Sequence, residues 1–537
     1  LPAVIRTQVL IVGGGPVGST LALDLAWRGI DTIVAEQNPA GQLPGVKCNH
    51  VAARTMETFR RLGIAQIVRD TGLPADHAND VAFRTSAIAE DFARIAIPCR
   101  RDRYTDKRGP DGWWPTPEPP HRINQIYLDP LLAEAARAQP NVRYLNNTRV
   151  TGFAQSESGV VAETANARIE CEYLIGCDGP SSMVRREIGA QLTGDAMIGR
   201  TQSTYIRAPG LRSMMRAEPA WSTQVMNPRR SANMFAVDGR ETWLIHNYLR
   251  PDETDFAAID SDACIRALLG EGVAYEVLTQ ENWIGRRMLA DRFRDRRAFI
   301  CGDAAHLWVP FAGYGMNAGI ADAMNVSWML AGVLSGWADP AILAAHEAER
   351  WPITEQVSRY AMDTAAALMR ARGAVPADIE TNPAARQALG AQMLAMHTPQ
   401  FCCGGLNFGY YYDRSPIIAY DGEAPPAYTM DTFTPSTVPG CRTPHIWLED
   451  GRSLYDAMGP GFTLLRFDPS VAVEPLIQAA GAGGVPLSVL DIATQPPYAE
   501  ALVLSRPDRH VAWRGRELPA DVAGLVDRIR GGKGDLQ

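Results

Sequence analysis

The sequence predicts an α/β protein in which a unit of alternating strands and helices is interrupted by a sheet and followed by a separate terminal unit. Three observations carry that prediction. A strand, a glycine-rich turn, a helix, a second strand and an acid follow one another over residues 8–36. Two later strands again end in glycine and aspartate, at Cys177-Asp178-Gly179 and at Gly302-Asp303. Between those two lies a block of strand-length segments rich in β-favouring residues.

The first element is the apolar run Gln8-Val9-Leu10-Ile11-Val12, of buried-strand length. It meets Gly13-Gly14-Gly15-Pro16-Val17-Gly18, and Ser19 to Arg28 carries apolar residues at helical spacing until Gly29. Gly13 permits a tight turn, Gly15 lets main chain approach a pyrophosphate, and Gly18 lets helix pack on strand. The helix start offers unpaired N–H groups to phosphate. Thr32 to Ala35 forms the next strand, and Glu36 at its end can accept from ribose hydroxyls. An acid there favours an unphosphorylated ribose, hence FAD or NAD over NADP, against a glycine-rich turn with no ligand.

Downstream, Val51 to Leu62 is helical and carries Arg54, either a phosphate clamp or a salt-bridged surface arginine. From Thr71 to Pro120 the pattern breaks into an excursion whose Trp113-Trp114 pair lids a ligand or packs on the domain body. Asp129 to Arg137 is amphipathic, with Asp129 as expected N-cap and Gln125 just before it. Strands are expected at Val142–Leu145, Thr148–Phe153 and Val160–Glu163, and again from Glu172 to Gly176. Between Arg200 and Met288 the strands include Thr242–Tyr248, where Thr242, Leu244, His246 and Tyr248 share one face. That face lines a ligand pocket or is a half-buried sheet surface. After Gly302-Asp303 the loop Pro310-Phe311-Ala312-Gly313-Tyr314-Gly315 aims the N–H groups of a helix starting at Met316-Asn317 at an anion.

Composition sets bounds. The chain has 537 residues, enough for roughly three domains. A net charge of −8 argues against nucleic acid or an anionic membrane as partner. No uninterrupted apolar span long enough for a bilayer is seen, so a cytoplasmic location is expected. The nine cysteines are scattered, with no CxxC and no metal-ligand spacing, so no metal is expected.

The three glycine-bearing elements in this order resemble the single-component (class A) FAD-dependent aromatic monooxygenases, in the phenol hydroxylase and polyketide hydroxylase branch. The first is Gly13 to Gly18 with Glu36. The second is Cys177-Asp178-Gly179-Pro180-Ser181-Ser182. The third is Gly302-Asp303-Ala304-Ala305-His306 with Pro310, Gly313, Gly315, Met316 and Asn317. The resemblance covers roughly residues 5 to 370, and the tail from Gly440 is similar to that branch's redox-inactive thioredoxin-like extension.

It implies an α/β fold: a discontinuous Rossmann-like FAD-binding domain (residues 1–73, 121–190 and 289–375) with an inserted substrate-binding sheet domain (74–120 and 191–288). A linker (376–439) and a thioredoxin-like domain without CxxC (440–537) follow. It implies FAD held by Gly13, Gly15, Pro16, Val17, Gly18 and Glu36, with Arg54 and Gln125 flanking the phosphates and ribityl chain. Asp303 would bind the ribityl hydroxyls, and Gly313, Gly315, Met316 and Asn317 the isoalloxazine. Asp178 and Gly179 serve both FAD and a transient NAD(P)H, and Tyr314 stands where many members carry Gln. The implied reaction is hydroxylation of a phenolic or polycyclic aromatic substrate with NAD(P)H and O2 through a flavin C4a-hydroperoxide. No motif transfers the substrate-activating residue; Tyr205, His246, Tyr248 and Pro310 are the pocket candidates. Epoxidation, Baeyer–Villiger oxygenation and a non-catalytic FAD-binding protein remain the alternatives, and a homodimer is compatible with the reading.

Overall fold

The computed structural model describes residues 3–308 and 313–532. At its centre is a six-stranded sheet, in spatial order Arg294–Asp295, Ala298–Ile300, Tyr173–Gly176, Val9–Val12, Thr32–Ala35 and Val142–Leu145. Its strands are parallel except the short Arg294–Asp295 edge. Val9 to Ala35 read as apolar runs rather than alternations because these strands are covered on both faces. On one side lie the Pro16–Trp27 and Gln125–Arg137 helices and the long Tyr314–Leu334 helix. On the other, Leu10, Val12 and Ile33 share a core with a four-stranded sheet containing Ala3–Arg6, Val150–Gln155, Val160–Thr164 and Ala167–Cys171.

One expected boundary is corrected. The helix placed at Asp129 begins a turn earlier, at Gln125, because Asn124 rather than Asp129 caps it: the Asn124 side chain accepts from Ile126 N at 3.0 Å. Asp129 and Pro130 sit inside the helix, and Pro130, its sixth residue, has no N–H to donate to Ile126 O, so the helix carries one hydrogen bond fewer there.

The middle of the chain forms an eight-stranded sheet. Leu192–Arg207 lies between Glu276–Ala290, which the short His306–Leu307 strand edges, and Thr242–Tyr248, followed outward by Ser231–Ala236, Ser222–Met226, Val81–Arg84 and Asp91–Ile95. The excursion before Pro120 thus supplies two strands of this sheet. One face, with Ile206, Trp243, Ile245 and Met234, packs on the Ser261–Leu269 helix. The other is polar and aromatic. The stretch 376–439, expected as a linker, holds the 19-residue Pro383–Phe401 helix, whose His397 ring stands edge-on to Phe83 at 5.1 Å.

The terminal unit is a four-stranded sheet ordered Leu487–Asp491, Phe462–Arg466, Leu502–Ser505, Val511–Gly515, with helices Glu474–Ala482 and Val522–Ile529. The first two strands are parallel and the rest antiparallel. Phe462 meets the rings of Trp328 and Trp337 at 5.9 and 6.1 Å, joining this unit to the Tyr314–Leu334 helix. Two fully buried ion pairs cross the same boundary, Glu57 with Arg442 and Glu349 with Arg506. Among the described residues no helix is long and apolar enough to cross a membrane, and no group of three metal-ligating side chains occurs.

Candidate active site: a main-chain cleft beside a polar–aromatic sheet face

The three glycine turns are neighbours in space. They follow adjacent parallel strands, with Gly176 in register with both Val12 and Ile300. Cys177 N donates to Val12 O at 2.8 Å and Cys301 N to Gly176 O at 3.0 Å, so the strands end on one edge of the sheet. Open α/β sheets bind ligands at that carboxyl edge.

The glycines of the first turn divide by what surrounds them. Gly13 adopts φ +105°, and a side chain there would meet Cys177 O at 2.3 Å; one at Gly18 would meet Gly13 O at 2.0 Å. One at Gly14 would strike the Tyr144 hydroxyl, which donates to Gly14 O at 2.7 Å. Gly15 differs: it precedes the Pro16–Trp27 helix with an ordinary φ of −67°, and nothing lies within 4 Å of where its Cβ would be. The fold therefore needs the neighbouring glycines, whereas the space over Gly15 is free for a ligand. Pro16 occupies the first helical position and Val17 packs against Gly302 and Gly319, locking the first turn to the third.

Glu36 sits across this turn. Its carboxylate accepts from Gly14 N at 2.7 Å and Asn38 N at 2.8 Å, which fixes its position at the strand end. Asp178 is engaged similarly: it accepts from Ser182 Oγ (2.5 Å), Met183 N (2.7 Å) and Val184 N (3.1 Å), and so orders the second turn. Gly179, at φ +74°, has open space around its Cβ position. Arg185 ties the second turn to the third by donating to Ala304 O at 2.9 Å. Asp303 alone of these acids is uncommitted: among the described residues nothing donates to it. It is open to solvent yet set deep among protein atoms, and that burial raises its carboxyl pKa, with His306 and Lys47 opposing.

The third turn leads to Gly313, at φ +66°, which caps the Tyr314–Leu334 helix; Gly315 in its first turn has nothing within 4 Å of its Cβ position. The Asn317 side chain is saturated: it donates to His50 O and Gly313 O and accepts from Ala52 N and Thr55 Oγ1. Asn317 thus clamps the loop before the Ala53–Arg61 helix to the start of the long helix, leaving main-chain N–H groups at Gly315 and Met316 for a ligand. Tyr314 is buried, with its phenol pKa well above the ordinary value because of that burial. Pro310 lies outside the described residues. Gln125 heads its helix, 3.4 Å from Asp129, whose carboxyl burial pushes up to about 7. Arg54 is not brought to this cleft: its guanidinium donates to His510 Nε2 at 2.7 Å and stacks 4.5 Å from the Tyr410 ring, both beyond the first domain.

On the middle sheet, the alternation foreseen for Thr242–Tyr248 holds, and pairing adds partners from other strands. Ser203 lies opposite His246 and Thr201 opposite Tyr248, so Ser203, Tyr205, His246 and Tyr248 share a face. Trp283 Nε1 donates to Ser203 Oγ at 2.7 Å, and Ser203 Oγ lies 2.6 Å from His246 Nδ1. Among the described residues that nitrogen is the one acceptor in reach of the Ser203 hydroxyl hydrogen, which leaves the His246 proton on Nε2. Burial and then the charge of Arg372 lower the His246 pKa to about 4, so the ring is neutral at physiological pH. Arg372 stacks 3.8 Å from the Tyr248 ring centroid. Tyr205 reaches toward Tyr127 of the Gln125–Arg137 helix, close enough to contribute to that phenol's raised pKa. The face is thus bounded by the nucleotide-binding unit and by the Ala344–Gly373 and Pro383–Phe401 helices. Trp114 donates to Asp111 O and meets Phe408 edge-on, packing on the body, while Trp113 is exposed.

Ser203, Trp283 and Arg372 were not foreseen. Ser203 carries a usable signal, two residues before Tyr205 on one strand. Trp283 lies in a strand whose polar run conceals it, and Arg372 comes from a helix distant in sequence.

The residues of the cleft fit a flavin dinucleotide: free space over Gly15 and Gly315, a ready ribose acceptor in Glu36, an unpartnered acceptor in Asp303 and two helix starts. Comparison with known proteins agrees. The sequence profile of the "FAD binding domain" family matches residues 6–361, and that of "Aromatic-ring hydroxylase, C-terminal" matches residues 436–531. The chain is 30% identical to an FAD-dependent monooxygenase, apdD, of Emericella nidulans, over 94% of this chain and 87% of that one. It is 28% identical to tetracenomycin B2 monooxygenase-dioxygenase of Streptomyces olivaceus, over 98% of each. Among solved structures, chromopyrrolic acid-soaked RebC with bound 7-carboxy-K252c superposes with a TM-score of 0.89 at 33% identity, covering 98% of this chain and 100% of that one. Fold and site thus define a flavoprotein monooxygenase, and the chain belongs to the class A family of FAD-dependent aromatic-ring hydroxylases. NAD(P)H is the co-substrate typical of that family.

Proposed function

We propose that this enzyme hydroxylates a polycyclic phenol, binding it between the cleft and the Ser203–His246 face of the middle sheet. The observation that carries the reading is the Trp283–Ser203–His246 relay, which presents a neutral imidazole N–H on a face that also carries Tyr205, Phe235, Leu244 and Tyr248. A donor of that kind recognises an oxygen substituent, while the rings accept extended aromatic area. A relative named for tetracenomycin B2 and the RebC structure with bound 7-carboxy-K252c support this reading.

In this reading Gly13, Gly15, Pro16, Val17 and Gly18 cradle the FAD pyrophosphate, Glu36 the adenosine ribose and Asp303 the ribityl hydroxyls. Gln125 and the Asp178-Gly179 turn border the same cleft, and Gly313 to Asn317 present helix N–H groups to the flavin ring, where negative charge is stabilised. Bound FAD would accept a hydride from NAD(P)H and supply activated oxygen to the ring. The chain's own part is to orient the substrate through His246 Nε2–H and to exclude water under the two roofing helices. Fixed as a donor, His246 positions a substrate oxygen and does not take its proton. The terminal unit is thioredoxin-like in our reading, supported by its β-α-β-β-β-α order around a sheet whose first two strands are parallel. With no CxxC it is structural.

The test is a panel of simple phenols and polycyclic phenols, scored for stimulated NAD(P)H and O2 consumption and for product mass. One oxygen atom added to an intact ring is expected, with polycyclic phenols giving the lower KM. NAD(P)H oxidation indifferent to any aromatic, or oxygen inserted into a carbon–carbon bond, would overturn it.

A further inference from the structure

A cavity of about 80 Å³ lies where the Ala53–Arg61, Tyr314–Leu334 and Ala344–Gly373 helices meet the terminal unit. Of the cleft residues, Tyr314 and Asn317 at the start of the long helix line it, whereas Gly13, Gly15, Glu36 and Asp303 do not. Six guanidinium groups do, those of Arg28, Arg54, Arg61, Arg350, Arg442 and Arg509, against two carboxylates, Glu57 and Asp508.

The carboxylates nearby do not balance these charges. Asp24 is divided between Arg28 and Arg61, and Glu57 between Arg442 and the more distant Arg509 at 3.8 Å. Arg350 pairs with Asp322, whose other oxygen lies 2.6 Å from His306 Nε2. Asp508 is held by Arg506, which also takes Glu349. Among the described residues Arg54 has no carboxylate partner; it donates to His510, a ring kept neutral by burial and by Arg54 itself. Allowing Glu349 and Asp508 to offset Arg506 and Arg54, two positive charges are left over. Burial lowers the Arg509 pKa to about 10, a sign that its charge is poorly compensated.

Unused donors sit on residues that line the same cavity. Arg350 is 2% exposed, yet its Nη1 has no partner; the same holds for Arg54 Nη1 and the Tyr410 hydroxyl. Tyr410 lies between the two, with Arg54 at 4.5 Å and Arg350 at 5.6 Å from its ring. Surplus buried cations and unsatisfied donors each cost stability until an anion meets them. Water could fill such a volume but would leave the charge excess in place.

We propose that this cavity is a binding site for a small tetrahedral oxyanion, phosphate or sulfate, held by Arg54, Arg350 and Tyr410. The ion joins the nucleotide-binding unit to the 376–439 stretch beside the terminal unit and is separate from any phosphate of the dinucleotide.

The experiment uses FAD-saturated enzyme, so that the nucleotide cleft is filled. Thermal melts are recorded in sulfate and in chloride at matched ionic strength, and inorganic phosphate is titrated by calorimetry. A saturable rise in Tm with sulfate, one phosphate bound per chain, and about tenfold weaker binding in Arg54→Gln and Tyr410→Phe are expected. Sulfate and chloride acting alike, or phosphate binding undiminished in both variants, would overturn the proposal. Should Arg54→Gln fail to fold, Tyr410→Phe, which keeps the ring between the guanidiniums, gives the same readout.

Discussion

The glycine turns at Gly13, Gly179 and Gly302 and the Ser203–His246 face of the middle sheet are built from different materials. The cleft offers main-chain N–H groups and space, and its few side chains are mostly committed to holding turns. The sheet face offers side chains brought together by pairing between strands far apart in sequence. A site made of main chain must use glycine wherever two backbones approach, so it can be broken by adding a single side chain. A site made of side chains is broken by removal, in smaller steps.

The largest effect should follow Gly15→Val. Gly15 has an ordinary φ and empty space beyond its Cβ position, so the apoprotein should fold with an unchanged Tm. The new side chain would fill the room over the helix start, and FAD affinity should fall on the order of 100-fold, about 2.7 kcal/mol. Gly18→Ala should do the reverse in kind, lowering apoprotein stability by roughly 1–3 kcal/mol because its Cβ meets Gly13 O. Flavin absorbance after gel filtration, with apoprotein melts, separates the two; equal loss of stability in both would erase the distinction.

The same contrast explains what was legible in the sequence. Gly13, Gly18, Asp178 and Gly302 announce the cleft because local chain geometry demands them at fixed spacing. The terminal unit was legible too, since Phe462–Arg466 and Leu502–Ser505 are apolar runs bounded by turns. The Glu276–Ala290 strand was not: its outer half is exposed, so TQEN carries no apolar pattern, and its register is set by Leu192–Arg207. The Pro383–Phe401 helix escaped because prolines at both ends read as linker. Arg54 was drawn toward the cleft by proximity in sequence, whereas its helix presents it to Tyr410 and His510.

Asp303 lies between these extremes, a side chain in a main-chain site. Its folded pKa is raised by burial, so ionisation is harder in the folded apoprotein than in the unfolded chain. The apoprotein therefore loses stability as pH rises from the ordinary carboxylate range through that raised value, and none is lost below both. Asp303→Asn should accordingly melt higher than wild-type apoprotein at neutral pH and equally in acid, while retaining far less FAD. A lower neutral Tm in the variant would show that the carboxylate supports the fold rather than the ligand.

On the sheet face, Ser203→Ala removes the hydroxyl that holds His246 Nδ1 as an acceptor, freeing the ring to move its proton to that nitrogen. Flavin content should stay at wild-type level and KM for the aromatic substrate should rise about tenfold, the worth of one hydrogen bond at about 1.4 kcal/mol. A fall in kcat with KM unchanged would instead assign His246 to the chemical step.

The smallest effect tests the charge around that ring. Two causes hold the His246 pKa near 4, burial first and Arg372 second. Arg372→Gln removes a positive neighbour, so imidazolium becomes less unfavourable and the pKa must rise; because burial is the larger cause, it should remain below the ordinary histidine value. A neutral ring is needed to keep Nδ1 as acceptor from Ser203, so protonation should cut substrate binding, and the acid limb of kcat/KM should move to higher pH in the variant. Arg372 also stacks on Tyr248 and donates to Gln224 at 3.4 Å, so the plateau will change as well. The position of the limb is the informative quantity, since loss of packing scales the whole profile without displacing it. An acid limb at the same pH in both enzymes would mean that His246 does not titrate in the binding step, and the side-chain half of the comparison would then rest on Tyr205 and Tyr248.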